Sequence, residues 1–221
     1  MDEGARDQSA LHVLSRTRGR AGAPLLMQEN DLVSGIGRLV AGRRTPLLVA
    51  FDGWSGSGKS TLASRVAARV AATVVESDDF YVGGSDAEWH QRAVQERIDG
   101  CIDWRRMKAE ALDPLVAGRR ATWRPFNFAT RVGLAPESVS REPAAVIILD
   151  GAYSSRPELA DLLARTVLVE LSDDAVRRQR LIAREGIAFM TAWHALWDAV
   201  EEEYFTRVRP RSSFDWIVTR D

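Results

Sequence analysis

Residues 53–60 read GWSGSGKS, which satisfies G-x-x-x-x-G-K-[ST] at every fixed position. The residue types dictate what such a loop can do. Gly56 and Gly58 allow left-handed backbone and let the chain approach a phosphate with no Cβ in the way. Successive N–H groups then point into an anion nest at a helix N-terminus, where the dipole also favours negative charge. Lys59 supplies a compact charge for β- and γ-phosphates, and the Ser60 hydroxyl would hold Mg2+. The expected nucleotide-binding set is Gly53, Ser55, Gly56, Ser57, Gly58, Lys59, Ser60 and Thr61. Composition sharpens this reading. Lys59 and Lys108 are the only lysines among 30 basic residues, so the chain writes positive charge as Arg almost everywhere. The one position that calls for lysine chemistry has it. Lys108 carries no motif.

Phosphoryl transfer also needs a metal, charge neutralisation and a group that orients the acceptor hydroxyl. Two acidic sites end apolar runs: Asp78-Asp79 after VVES, and Asp150 after AVIIL. Open α/β sheets place their sites at such strand ends. Asp150 is expected in the metal shell with Ser60. Asp78 is expected near the metal and as the base on the acceptor, since an Asp of ordinary acidity can take a proton that leaves late. Asp79 reads as a neighbour bonding into the loop. Arg177, Arg178, Arg180 and Arg184 share one expected helix, and the first two read as a solvated basic face, as do Glu201–Glu203 for the acidic side. His12, His90 and His194 lack ligand spacing, which leaves nucleotide Mg2+ as the metal expected. Arg207, Arg209 and Arg211 are expected at the surface, and Cys101 as an inert thiol.

These groups require a scaffold. Pro46–Asp52 is a short continuous apolar run, as expected of a strand buried on both faces. Leu62, Val66 and Val70, with Ala63 and Ala67, give an amphipathic helix directly after the Gly/Ser turn. Further strands are expected at Ala72–Glu76, Ala144–Leu149, Thr166–Leu171 and Phe214–Val218. Further helices are expected over Leu25–Val40, over Trp104–Val116 despite Pro114, after a Ser172 cap, and along Trp193, Leu196, Trp197, Val200 and Tyr204. Strands alternating with helices predict an α/β fold, a mostly parallel sheet with helices on both faces.

The 221 residues suit one domain of about 150–200 residues plus an extension. Residues 1–24 are expected to be a flexible extension and 25–221 a single domain. A net charge of −1 argues against a general nucleic-acid or membrane-surface binder. One cysteine excludes an intrachain disulfide framework and fits a reducing cytoplasm. No apolar run approaches the roughly 20 residues that span a bilayer, and the N-terminus lacks a signal-peptide pattern. The expectation is a cytoplasmic protein, its oligomeric state open.

The chain resembles the uridine kinase/phosphoribulokinase-like family of P-loop small-molecule kinases. The stretches that carry the likeness are GWSGSGKST (53–61), ESDDFY (76–81), IDWRRM (102–107), LVAGR (115–119), WRPFNFATR (123–131), VIILDG (146–151), RLIARE (180–185) and FDWIV (214–218). They fall in the family's order and cover most of the chain from about residue 45. The resemblance implies a P-loop NTPase-type sheet, ATP and Mg2+ as cofactors, and phosphorylation of a small-molecule hydroxyl. It makes Asp78 the base and adds a helical lid, about 173–190, whose Arg180 and Arg184 meet the transferring phosphate. It places Tyr81, Phe126, Asn127, Phe128 and Arg131 at the acceptor. Two departures stand out. Asp150 takes a place usually held by Glu, and PFNFATR lacks the Tyr, Asp and His with which uridine kinases read a nucleoside. Losing polar partners costs discrimination heavily. The aromatic pair Phe126/Phe128 could still stack a ring or simply belong to the core. The acceptor therefore stays open among nucleosides, sugars, vitamin precursors and nucleoside-like antibiotics. A P-loop ATP-binding regulator with little or no kinase activity is the alternative.

Overall fold

The computed structural model describes residues 22–220. The elements run in chain order: β1 (Leu25–Leu26), α1 (Glu29–Val40), β2 (Leu47–Asp52), α2 (Lys59–Val70), β3 (Thr73–Glu76), α3 (Asp86–His90), α4 (Val94–Gly100), α5 (Trp104–Met107), α6 (Asp113–Val116), β4 (Ala121–Trp123), β5 (Val139–Arg141), β6 (Val146–Asp150), β7 (Leu163–Leu171), α7 (Asp174–Glu185), α8 (Ile187–Glu203) and β8 (Trp216–Arg220). Six strands form one parallel sheet in the order β1-β8-β7-β2-β6-β3, and β4-β5 form a small antiparallel ribbon. The expected α/β architecture with a parallel sheet is what the structure shows.

The apolar runs explain this layering. Every residue of β2 and of β6 is buried, so these central strands have no solvent face. One face of the sheet packs against α1 and α2 through Leu32, Ile36, Leu62 and Val66. The other packs against α4–α6 and α8 through Ile98, Met107, Leu112, Leu196, Trp197 and Tyr204. Both faces of the sheet are therefore covered by helices. Parallel order puts the C-terminal ends of β2, β3, β6 and β7 along one rim, and the loops that leave this rim carry the candidate chemistry.

Several expectations need correction. Leu25 and Leu26 do not begin the first helix; they pair with Trp216 and Ile217 as an edge strand, with Leu26 71% exposed. Ser172 does not cap α7. Its N–H and hydroxyl bond the Arg220 carbonyl at the end of β8, and Asp173 accepts from Ala175 N at 2.7 Å instead. Trp104–Val116 is helical, but a π turn at Lys108–Leu112 separates α5 from α6. The wide turn places Pro114 near the start of a new segment, where a missing N–H is tolerated. Lys108 then reaches Asp113, five residues on, with both carboxylate oxygens at 2.7 Å. The side chain of Trp193, residues 1–21 of the expected extension over 1–24, and His12 lie outside the described residues.

The sheet makes a direct prediction. Leu149→Ala, in the middle of β6, should cost about 2–5 kcal/mol, whereas Leu26→Ala on the exposed edge strand should cost under about 0.5 kcal/mol. Chemical denaturation of the two variants measures both.

Candidate active site

β2 ends at Asp52, and the glycine-rich loop begins one residue later. Gly56 and Gly58 have φ of +80° and +84°, the left-handed backbone that their type permits. Gly53 is required for a different reason: a Cβ there would lie 2.2 Å from the Val169 carbonyl oxygen. The loop then enters α2 at Lys59, whose ammonium is 3.4 Å from the Trp54 carbonyl. Ser60 and Thr61 follow in the exposed first turn of α2. Ser57 is buried, and its hydroxyl has no hydrogen-bond partner among the described residues. Ser55 turns both of its donors to Glu201.

Across the loop stands Asp150 at the end of β6, paired in register with Phe51 and Glu76. Burial pushes its carboxyl up to about 6; a hydrogen bond from Ser60 and the charge of Lys59 oppose the rise, while Asp78 and Glu76 add to it. Its Oδ1 is buried with no hydrogen-bond partner among the described residues. An orphaned carboxylate oxygen beside a serine hydroxyl is a hard-oxygen donor set of the kind Mg2+ takes when it is bound through one or two protein ligands and phosphates. Ser60 and Asp150 thus fit the metal. Gly151 lets the chain leave β6 at this point, since a Cβ there would meet the Ser77 hydroxyl at 2.0 Å.

Asp78 lies on the 3-10 turn Ser77–Phe80 after β3, exposed, and within electrostatic reach of Asp150. Asp79 points the other way: its Oδ2 accepts from Trp123 Nε1 at 2.7 Å, as expected of a loop neighbour. Partial burial and the Asp79 and Asp78 charges hold Glu76 above the usual carboxylate range. The rim therefore gathers three carboxylates on one segment, of which Glu76 and Asp78 are exposed and Asp79 is half-buried.

α7 covers the loop. A Cβ at Gly56 would fall 2.7 Å from Leu181 Cγ, so α7 lies against the glycines. Arg180 Nη1 and Arg220 Nε lie 3.9 and 3.6 Å from where a Cβ at Gly58 would stand, two guanidinium groups at the loop mouth. Arg184 is exposed one turn further along α7.

The expected acceptor residues form one cluster. Tyr81 packs edge-on to Phe126 at 5.0 Å and lies nearly parallel to Phe128 at 6.3 Å, 15° between planes. Phe126 is buried and Phe128 is 57% exposed. Burial raises the Tyr81 phenol to about 12, so it stays a donor. The Asn127 carboxamide oxygen accepts from Ala129 N and Thr130 N, which builds a turn, and Arg131 follows exposed at φ +57°. Cys101 is buried and its thiol is pushed up to about 12, as expected of an inert group.

Two surface assignments are corrected. Glu201 is 2% exposed and Arg177 6%, because both turn inward on the loop; Arg178, paired with Asp174, is exposed as expected. Helical spacing could have found Glu201, which lies four residues after the inward Trp197. Asp52, Tyr204 and Arg220 also face the site without a motif to announce them. Asp52 closes a buried run and Tyr204 lies on the apolar stripe of the last helix, whereas Arg220 carries no signal. A cavity of about 610 Å3 behind the lid is lined by Trp54, Arg177, Asp174, Glu170, Asp198 and Glu202 among others, away from Asp78 and Asp150.

No family model matches the chain. It is 26% identical over 177 residues to a uridine kinase of Deinococcus deserti, covering 77% of this chain and 82% of that protein. It is 38% identical over 112 residues to a bifunctional pantoate ligase/cytidylate kinase of Gloeobacter violaceus, a match spanning half of this chain and about a fifth of that relative. A solved structure of a possible uridine kinase from Bacillus stearothermophilus superposes with a TM-score of 0.60 at 19% identity, over 87% of this chain and all of that one. The fold is therefore that of the P-loop kinases. The resemblance to the uridine kinase/phosphoribulokinase-like family is borne out by these likenesses.

The raised carboxyl of Asp150 predicts a pH dependence. A raised folded-state value means that the folded chain holds its proton longer than the unfolded one, so stability falls as pH rises from 3.8 to about 6. Asp150→Asn should flatten that segment of a thermal-midpoint profile, and Mg2+ with ATP should restore stability above pH 6 in the wild type alone.

Proposed function

We propose that this chain is an ATP-dependent phosphotransferase that moves a phosphoryl group from ATP to a hydroxyl of a small molecule. One observation carries the reading: Lys59 and Ser60 of a left-handed glycine loop face a buried Asp150 that keeps one oxygen without a hydrogen bond among the described residues, with the exposed carboxylate of Asp78 beside them. A nucleotide-binding module without transfer chemistry has no use for that fourth group.

Mg2+, when bound, supplies charge neutralisation on the β- and γ-phosphates. The chain's own residues do the rest. Loop N–H groups and Lys59 hold the phosphates, and Ser60 and Asp150 would hold the metal. Arg180, at the loop mouth on the lid segment, adds positive charge where it develops, and Arg184 follows on the same helix. Asp78 orients the acceptor hydroxyl and receives its proton. Asp79, fixed by Trp123, holds the turn that aims Asp78.

The acceptor is a nucleoside, a nucleoside-like molecule or a sugar. The names of the relatives support a nucleoside, whereas the cluster at 126–131 supports an acceptor read by shape. Its Asn127 oxygen is committed to a turn, and its accessible face is the Tyr81/Phe128 pair. Stacking of a flat ring on such a pair contributes about 0.5–1.5 kcal/mol beyond area burial.

ADP release measured against a panel of nucleosides, sugars and pantothenate-like alcohols tests the reading. Release should depend on one acceptor class, and Asp78→Asn should lower turnover by about 10²–10⁴-fold while Mg-ATP binding stays within about threefold. Release that ignores every acceptor would instead support a nucleotide-binding regulator. Full transfer by Asp78→Asn would remove Asp78 from its role.

A further inference from the structure

The glycines of this loop bring no side chains to hold its shape, and their backbone loses the most freedom on ordering. Something outside the loop must hold it. Ser55, the third residue of the motif, is held at both ends. Its N–H donates to Glu201 Oε1 at 3.0 Å, and its hydroxyl donates to the same oxygen. Its carbonyl accepts from Arg177 Nη1 at 3.2 Å. The first anchor comes from α8, the second from α7.

Neither anchor is a surface accident. Burying a carboxylate is costly unless it is paired. Glu201 is almost fully buried, and burial pushes its carboxyl up against the opposing hydrogen bonds from Ser55 and the charges of Lys59 and Arg177. Its second oxygen has no hydrogen bond among the described residues and lies 3.8 Å from Arg177 Nη1. Arg177 is also buried. It bonds Asp174 at 2.7 Å and lies 5.4 Å over the Trp54 ring, which stacks on Phe205 at 5.3 Å. Trp54 and Ser55, the two loop residues before Gly56, are thus clamped between α7 and the segment formed by α8 and the turn after it, which carries Phe205. Such a clamp lets lid position and loop shape influence one another through a few rigid contacts.

We infer that Glu201 is a positioning residue: acting through Ser55, it holds the phosphate loop in its nucleotide-receiving shape, and Arg177 joins that hold to the lid. The inference rests on the reading that this loop binds Mg-ATP. Calorimetric titration of Mg-ATP into the full chain tests it, with a thermal midpoint recorded for every variant. Ser55→Ala, which removes one buried charge-assisted bond, and Glu201→Gln, which removes the charge that strengthens both bonds, should each weaken binding about tenfold. The double variant should lose less than the product of the two single losses, since both variants weaken one shared contact. Ser55→Ala removes the hydroxyl bond and keeps the N–H bond, and Glu201→Gln keeps an accepting oxygen without its charge. Ser55→Thr should recover most of the Ser55→Ala loss. A merely structural role would lower the thermal midpoints and leave the affinity of the folded protein, titrated well below them, unchanged. Wild-type affinity in Ser55→Ala, or losses that multiply in the double variant, would overturn the inference. Ser55→Ala keeps the whole helix pair, so it decides the matter even where Glu201→Gln does not fold. A wild-type chain that binds no Mg-ATP would sink the nucleotide reading and this inference with it, a result distinct from any difference among variants.

Discussion

One buried carboxylate organises the rim that carries the candidate site. Asp52 ends β2 with no exposure to solvent and accepts five hydrogen bonds: from Gly53 N, Tyr153 N, Ser155 N, the Ser155 hydroxyl and the Tyr204 hydroxyl. Those donors belong to the start of the phosphate loop, to the segment after Asp150, and to the turn after α8. Hydrogen bonds to a charged group contribute about 1.5–3 kcal/mol each, and a buried donor left alone costs a similar amount. The segments that carry Lys59 and Asp150, together with the helix that carries Glu201, are therefore fixed to one point. Burial and the Asp52 charge both keep the Tyr204 phenol protonated, so it can go on donating.

From that point the rest of the site follows by strand order. β2 lies between β6 and β7, so the loop leaving β2 rises between the segment after Asp150 and α7, which follows β7. β3 sits beside β6, which sets the 3-10 turn with Asp78 next to Asp150. α8 then returns across the same rim and delivers Glu201 to Ser55 on one turn and Tyr204 to Asp52 on the next. The arrangement closes a cycle of contacts from the loop to the lid and back, with few side chains spent on it.

How much of this was legible in the sequence depended on separation along the chain. The phosphate loop, its flanking strand and helix, and the two acid-ended strands each lie within a dozen residues, so their chemistry could be read locally. Strand edges slipped by one to three residues because apolar runs do not mark where pairing stops. Glu201 and Tyr204 act on partners 146 and 152 residues away; helical spacing puts both on the inward side of their helix, but nothing local names the distant group that each one meets. Asn127 shows the converse. A motif position suggested acceptor contact, while the side chain has a local partner in its own turn.

The central claim is that the glycine loop, held by its buried anchors, is a Mg-ATP site in which Lys59 provides the charge. Titration of ATP into the wild-type chain and Lys59→Ala, each with and without Mg2+, tests it most directly. The structure predicts saturable wild-type binding that strengthens with Mg2+, and a loss of about a hundredfold or more in Lys59→Ala with an unchanged thermal midpoint. ATP binding of equal strength in the two proteins, or none in the wild type, would contradict the account.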